Sequence, residues 1–405
     1  MESRIIDAVI ARFPREVQKG VRSVWESLSP AEKNTLEAFA RGIPSQTSLV
    51  KMLIKMSSTQ LKHAFGDLSR VAIVGPANVG KSTLYNQLVQ SRSDHARVSP
   101  IPGTTRINQE ADAGLFTVVD TPGTDALGEA GEVEKEIAMS AALEADFLII
   151  LFDVIQGIKK TEKEIFEELA WLGKPFVVVL NKIDLVKTEQ AAIQKNVAAH
   201  LGLEPEQVIP ISARSNKGID QLLVSVAAAE PRIVSALGRA MPEYRWQLAR
   251  RSIISAASLS AVIALIPLPV VDFAPLVVNQ TIMVLGIARI YDYKINLERA
   301  RELVVTFGLG FMGRVLFQEL SKLGGLPGWL LSAAIAASTT VVMGYAAAQW
   351  FGKGEKVSQK SLNRMAREIT SHMLDALKNL GKKRPGKEKL REAVEESLMD
   401  MDIAG

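Results

Sequence analysis

Gly75-Pro76-Ala77-Asn78-Val79-Gly80-Lys81-Ser82 is the stretch that decides the fold. It has the form GxxxxGKS, follows the apolar run Arg70–Val74 and opens a helix-patterned segment, Ser82–Val89. A strand that passes through two glycines into a helix turns its backbone N–H groups inward, and the helix N-terminus adds its dipole. The loop is therefore built to cradle phosphates. Lys81 is placed to reach the β and γ phosphates, and the Ser82 hydroxyl to hold Mg²⁺. The nucleotide-holding stretch is expected to run from Gly75 through Thr83. By itself it specifies a nucleoside triphosphate without saying which one.

Outward from the loop, short apolar runs alternate with helical patterns: Val71–Val74, Phe116–Val119, Phe147–Phe152, Phe176–Leu180 and Val208–Ile211. Runs that are apolar throughout read as central strands of a parallel sheet covered on both faces. Residues 69–230 are thus expected to form a doubly wound, mostly parallel α/β domain. Three more polar loops follow strand ends, where ligands bind in such sheets. Asp120-Thr121-Pro122-Gly123 offers a carboxylate to Mg²⁺ and a glycine N–H to a γ-phosphate. Asn181-Lys182-Ile183-Asp184 offers a carboxylate, Asp184, that can accept both N1–H and N2–H₂ of guanine, with the Lys182 stem along the base. Ser212-Ala213-Arg214 places the Ala213 N–H for guanine O6. The order of the four loops predicts a guanine nucleotide.

On these motifs residues 70–230 resemble a translation-factor-type GTPase of the TrmE–Era–EngA branch, over about 40% of the chain. Pro102-Gly103-Thr104-Thr105-Arg106 resembles that branch's first switch loop. The resemblance implies GTP hydrolysis, with Thr105 closing on Mg²⁺ and the γ-phosphate and Thr104 as the neighbouring candidate. Ser82, Thr105 and Asp120 would be the Mg²⁺ ligands, and Lys81, Thr105, Gly123 and Asn78 the catalytic set. In Ras-like enzymes a glutamine after the switch-two glycine orients the attacking water. Thr124 stands there in this chain. In the resembled branch a loop asparagine helps bind K⁺, and Asn78 occupies the matching place, so K⁺ and dimerisation through the G domain, or a partner, would stimulate a slow enzyme. The other reading of Asn78 is a simple cap on the loop.

The flanks differ in texture. Residues 1–68 show apolar positions at helical spacing, with Ser29, Pro30 and Glu32 as a helix start and Gly42 and Pro44 as its stop. Residues 231–352 are apolar: Ser252–Ala288 carries one charge, Asp272, and Leu326–Gly352 none. Two short legs about Pro267-Leu268-Pro269 read as a helical hairpin, and Leu326–Phe351 is long enough to span a bilayer. Its Ala, Ser and Thr content suits close helix packing in lipid or in protein. Either the region docks on a membrane or it is the core of a soluble bundle. Ile266-Pro267-Leu268-Pro269 with Asp272, Asn279-Gln280 and Ile290-Tyr291 resembles the YcjF-type bacterial inner-membrane domain of unknown function. That resemblance implies the cytoplasmic face of the inner membrane, and the soluble alternative implies the cytoplasm. Residues 353–405 form a charged helical tail with a basic knot at Lys382, Lys383, Arg384, Lys387, Lys389 and Arg391, readable as a solvated helix end, a contact for anionic lipid or a contact for RNA.

Composition closes other routes. The 405 residues include no Cys and four His, which excludes disulfides, thiolate metal sites and a Cys nucleophile and leaves no zinc-hydrolase pair. A net charge of +4 is too mild to argue for nucleic acid. The N-terminus lacks the pattern of a secretory signal. The expected partners are GTP and GDP, membrane lipids and a second copy through the G domain, with DNA excluded and RNA disfavoured because no GXXG loop or aromatic-rich sheet accompanies the G domain. The rivals are a soluble GTPase acting on RNA or ribosome assembly, and a nucleotide-binding membrane scaffold with little turnover.

Overall fold

The computed structural model describes residues 7, 9–42, 48–66, 70–88, 109–110, 115–120, 129–155, 157–186, 188–265, 274–293, 295–312, 326–354, 357–381 and 383–401. The chain divides into two compact units, residues 67–247 and residues 1–66 with 248–405. The N-terminal helices thus share a body with the apolar and charged C-terminal stretches, although composition set the three apart as 1–68, 231–352 and 353–405. Residues 231–247 fall with the sheet.

In the unit of residues 67–247 the strands are β1 (Val71–Gly75), β2 (Gln109–Glu110), β3 (Phe116–Asp120), β4 (Phe147–Asp153), β5 (Phe176–Asn181) and β6 (Val208–Pro210). Their order in the sheet is β2-β3-β1-β4-β5-β6. All neighbours are parallel except the two-residue edge strand β2, which runs antiparallel to β3. β2 has no apolar run, so period and hydrophobicity did not reveal it. Every residue of β1 and β4 is buried, as the continuous apolar runs require. Alternate residues serve opposite faces. Leu148, Ile150 and Phe152 meet Ala138 and Ala142 of α5 (Glu129–Glu144), Phe166 and Leu169 of α6 (Lys160–Trp171) and Ala198 of α7 (Gln190–Leu201). The intervening Ile73, Ile149 and Leu151 are equally buried. On that side α4 (Lys81–Leu88) packs on β1 and β3, and α8 (Ile219–Ala229) on β5. The helix α9 (Val234–Ala240) completes the unit.

The helical unit contains α1 (Arg15–Ser27), α2 (Pro30–Gly42), α3 (Ser48–Phe65), the part of α10 (Arg245–Ala264) from Leu248 onward, α11 (Ala274–Ile290), α12 (Leu297–Met312), α13 (Gly328–Lys353), α14 (Gln359–Lys378) and α15 (Lys387–Asp400). The start of α2 is the one the sequence foretold: Glu32 accepts from the Ser29 N–H at 2.9 Å and from its hydroxyl at 2.5 Å, and the Glu32 N–H reaches back to Ser29 Oγ at 3.4 Å. α3 packs on α11, which explains why the N-terminal stretch belongs here: its apolar face needs a partner and finds it far along the chain. α11 also packs on α12 and α13, and α13 on α14.

A buried polar relay joins α10, α11 and α13. Asn279 Nδ2 donates to Ala256 O at 2.8 Å and to Ser260 Oγ at 2.9 Å. Thr340 Oγ1 lies 2.8 Å from Ser260 Oγ, and Gln280 Nε2 donates to Thr340 Oγ1 at 3.2 Å. The pair read as Asn279-Gln280 is therefore a hydrogen-bonding fixture between helices, while Asp272 and the Pro-rich turn lie outside the described residues. α13 is long and apolar enough to cross a bilayer, and 78% of its apolar window is buried within the structure. Of the basic knot, Arg391 is engaged with Glu388 and Glu395, and Lys382 is outside the described residues.

Candidate functional site

The phosphate loop leaves β1 at Gly75, where a Cβ would stand 2.3 Å from the Leu151 carbonyl oxygen. Only glycine fits so close to a neighbouring strand. At the other end Gly80 has φ +97°, and a Cβ there would meet Asn181 Nδ2 at 2.3 Å. Between them Asn78 takes the left-handed conformation at φ 64° and is exposed. Pro76 and Val79 are buried, and Ala77, Ser82 and Thr83 are partly so. Lys81 is 3% exposed, and its ammonium donates to Gly75 O at 2.7 Å and Pro76 O at 2.5 Å. A buried cation is thus fixed inside an arch of backbone at the start of α4, an anion-binding arrangement.

Asn181 holds the site together. It is 3% exposed, its Nδ2 donates to Val79 O at 2.8 Å, and its Oδ1 accepts from the Ala213 N–H at 2.9 Å. One side chain therefore links the phosphate loop to the Ser212-Ala213-Arg214 loop. The Ala213 N–H, expected to face guanine O6, here donates to Asn181. The Ile183 N–H donates to Ile211 O at 3.1 Å and fixes the same two loops through the backbone. Ser212 is fully buried and its Oγ accepts from the Ser215 N–H at 3.2 Å, while Arg214 is exposed. Asp184 is exposed on a short 3-10 turn, Ile183–Leu185.

Lys182, left-handed at φ 66°, does more than line a base. Its Nζ donates to Asn78 O at 2.7 Å and to Asp153 Oδ2 at 2.5 Å. Asp153 is 3% exposed, and its other oxygen accepts from the Ile155 N–H at 2.7 Å. Sequence reasoning passed over Asp153. It closes an apolar strand as Asp120 does, and it pairs in register with Asn181; the strand-end carboxylate was the available signal.

Asp120 ends β3 in register with Gly75, so its backbone stands beside the root of the phosphate loop. Ser82 sits in the first turn of α4. These two are hard oxygen donors at adjoining strand and helix ends, a donor set that suits Mg²⁺. Thr104, Thr105, Gly123 and Thr124 lie outside the described residues. Within the nucleotide unit the structure brings together the loop residues 75–83, Asn181, Lys182, Ser212 and Ala213, with Asp184 and Arg214 exposed beside them.

Comparison with known proteins matches both halves of the chain. Residues 70–182 match the family model described as 50S ribosome-binding GTPase, and residues 231–376 match a domain of unknown function, DUF697. GTPase Der of Symbiobacterium thermophilum is 40% identical over 168 residues, covering 40% of this chain and 34% of that protein. GTPase Era of Geobacter metallireducens is 33% identical over 165 residues, covering 40% of this chain and 55% of that protein. The chain thus spans between a third and just over half of the length of these relatives. A solved structure of Era from Aquifex aeolicus is 26% identical, with a TM-score of 0.34, and covers 50% of this chain and 68% of that one. The chain carries an Era/Der-type GTPase domain joined to a DUF697 domain.

Proposed function

We propose that this chain is a GTP-hydrolysing molecular switch that joins its Era/Der-type domain to a membrane-docking helical unit. The observation that carries the nucleotide reading is Asn181, buried and hydrogen-bonded to both the phosphate loop and the 212–214 loop. Asp184, exposed three residues on, would then meet the base, with the Lys182 stem along it. A carboxylate there accepts the paired donors of guanine and finds no such pair on adenine. Lys81 neutralises phosphate charge from inside the loop. Ser82 and Asp120 would hold Mg²⁺, which when bound supplies further neutralisation of the β and γ phosphates. Thr105 and Gly123 would close on the γ-phosphate and open after hydrolysis.

Calorimetry of the full chain tests this directly. Mg·GTP binds and Mg·ATP does not, and Asp184→Asn moves preference toward xanthine nucleotides, because an amide offers a donor where the carboxylate accepted. An Asp184→Asn protein with undiminished preference for GTP overturns the base assignment.

The finer reading adds K⁺. Asn78 is exposed in a left-handed conformation on the loop, with its carbonyl held by Lys182, so its side chain is available to help coordinate a monovalent cation. Turnover in KCl exceeds turnover in NaCl at equal ionic strength if the cation supplies the charge of an arginine finger, and dimerisation through the G domain would complete the site. The membrane reading is supported by the long apolar α13 and the apolar α11 that packs on it. Flotation with liposomes in GDP and in a non-hydrolysable GTP analogue measures it; retention in the soluble fraction in both states overturns it. The burial of α13 favours a second reading, in which the helical unit is a soluble body and the protein acts on RNA or the ribosome. The description of the matching GTPase model supports that direction. Co-sedimentation with ribosomal subunits separates the two.

A further inference from the structure

The helical unit holds a half-open pocket of about 270 Å³ between residues 9–61 and helices α10 and α11. Its wall is hydrocarbon, set by Phe13, Trp25, Leu53, Leu259, Ile263 and Val278. An enclosed apolar cavity of about 150 Å³ admits a six-carbon ring, so a pocket of this volume has room for roughly ten carbons. Charge on the wall is sparse. Among the described residues Arg12 is the one cation that lines it; it is exposed and forms no ion pair with them. The one acid among the described lining residues, Glu37, is 8% exposed.

The deep polar residues offer nothing to a negative head. Gln60 and Asn279 line the cavity, but their amide nitrogens are committed to Ser252 O, and to Ala256 O and Ser260 Oγ. Their amide oxygens are buried and unpaired, and acceptors repel an anion. A ligand with a charged head therefore has one favourable orientation, tail among the leucines and head at Arg12.

We propose that this cavity binds one alkyl chain of an anionic amphiphile, a fatty carboxylate or an acyl chain of an anionic lipid, with its head on Arg12. The cavity belongs to the unit that does not carry the nucleotide loops, so its occupancy is independent of the guanine reading.

The probe is decanoate, with 1-decanol as its uncharged counterpart, titrated into the full-length protein below their aggregation limits and followed by calorimetry. Saturable uptake at one site is expected. Arg12→Gln weakens decanoate about threefold to fivefold, the effect of a part-exposed ion pair, and leaves decanol unchanged. Val278→Trp fills the cavity and removes both. Vesicles of phosphatidylcholine with and without phosphatidylglycerol locate the source: sedimentation lost in Val278→Trp assigns a membrane-borne chain, and sedimentation kept while decanoate binding is lost assigns a free fatty acid. The proposal is overturned by absence of saturable binding, by Val278→Trp of native helix content binding as before, or by Arg12→Gln weakening acid and alcohol alike. Should Val278→Trp not fold, the exposed Arg12→Gln decides through the acid-to-alcohol ratio.

Discussion

Asp153 and Lys182 illustrate how single side chains pre-arrange the nucleotide site. The ion pair is buried at its carboxylate and 31% exposed at its lysine, so solvent screens part of it. Its value lies in position: the lysine is held over Asn78 O, fastening the 181–184 loop to the phosphate loop. Asp153→Ala frees the lysine and leaves the fold of the sheet intact. GTP affinity is expected to fall by about tenfold, near 1.4 kcal/mol, mainly through faster release. Stopped-flow release of a fluorescent guanine nucleotide measures it; an unchanged off-rate assigns the pair to stability alone. Lys81→Ala is harsher, since it empties the arch of its only buried cation, and a loss of more than about a hundredfold in triphosphate affinity is expected, the scale of a charge-assisted contact to phosphate removed with its helix-end partner. Equilibrium binding checks it against GDP, which should lose less.

At the scale of helices, two close contacts govern the apolar unit. Gly344 of α13 faces Ile253 of α10, and a Cβ at Gly344 would lie 2.5 Å from Ile253 Cγ1. Small residues let two helices approach until their backbones nearly touch. Gly344→Leu forces them apart and is expected to cost about 1–3 kcal/mol, the usual range for overpacking, read as a lower urea midpoint of the helical unit. The second contact is α3 on α10, where His63 Nδ1 lies 3.1 Å from Ser252 Oγ. Burial, with the nearby Arg251 charge adding to it, pushes the His63 imidazole from 6.5 down to about 3. The unfolded chain takes a proton below about 6.5 while the native one refuses it until about 3. Stability is therefore complete above pH 6.5 and drains away as pH falls toward 3. Between pH 8 and pH 5 the loss is about 2 kcal/mol, from 1.36 kcal/mol per pH unit. Unfolding midpoints at those two values should differ in the wild type and draw together in His63→Gln.

At the scale of the whole molecule, two units each own a core. A nucleotide that binds only the sheet unit stabilises that unit by mass action, about 2.7 kcal/mol at a hundred times its Kd. Hydrogen exchange with and without Mg·GTP should show slowed exchange across residues 67–247 beyond the nucleotide loops themselves; protection confined to the loops speaks against a single cooperative unit.

The nucleotide domain was legible in the chain because its signals are local. Two glycines, a lysine and a hydroxyl within eight residues, and strands apolar at every position, state their own geometry. The same locality made the Ser29-Glu32 helix start readable. What folding alone decided rests on residues far apart in sequence. Asn181 meets Val79 across 102 positions and also accepts from the Ala213 N–H. The two-residue β2 exists only because β3 lies beside it. The N-terminal helices join the C-terminal ones because an amphipathic face specifies that it will be covered and not by what. Periodicity fixes which side of a helix is apolar, while the covering partner, the relay through Ser260 and Thr340, and the cavity beside them follow from how the helices pack.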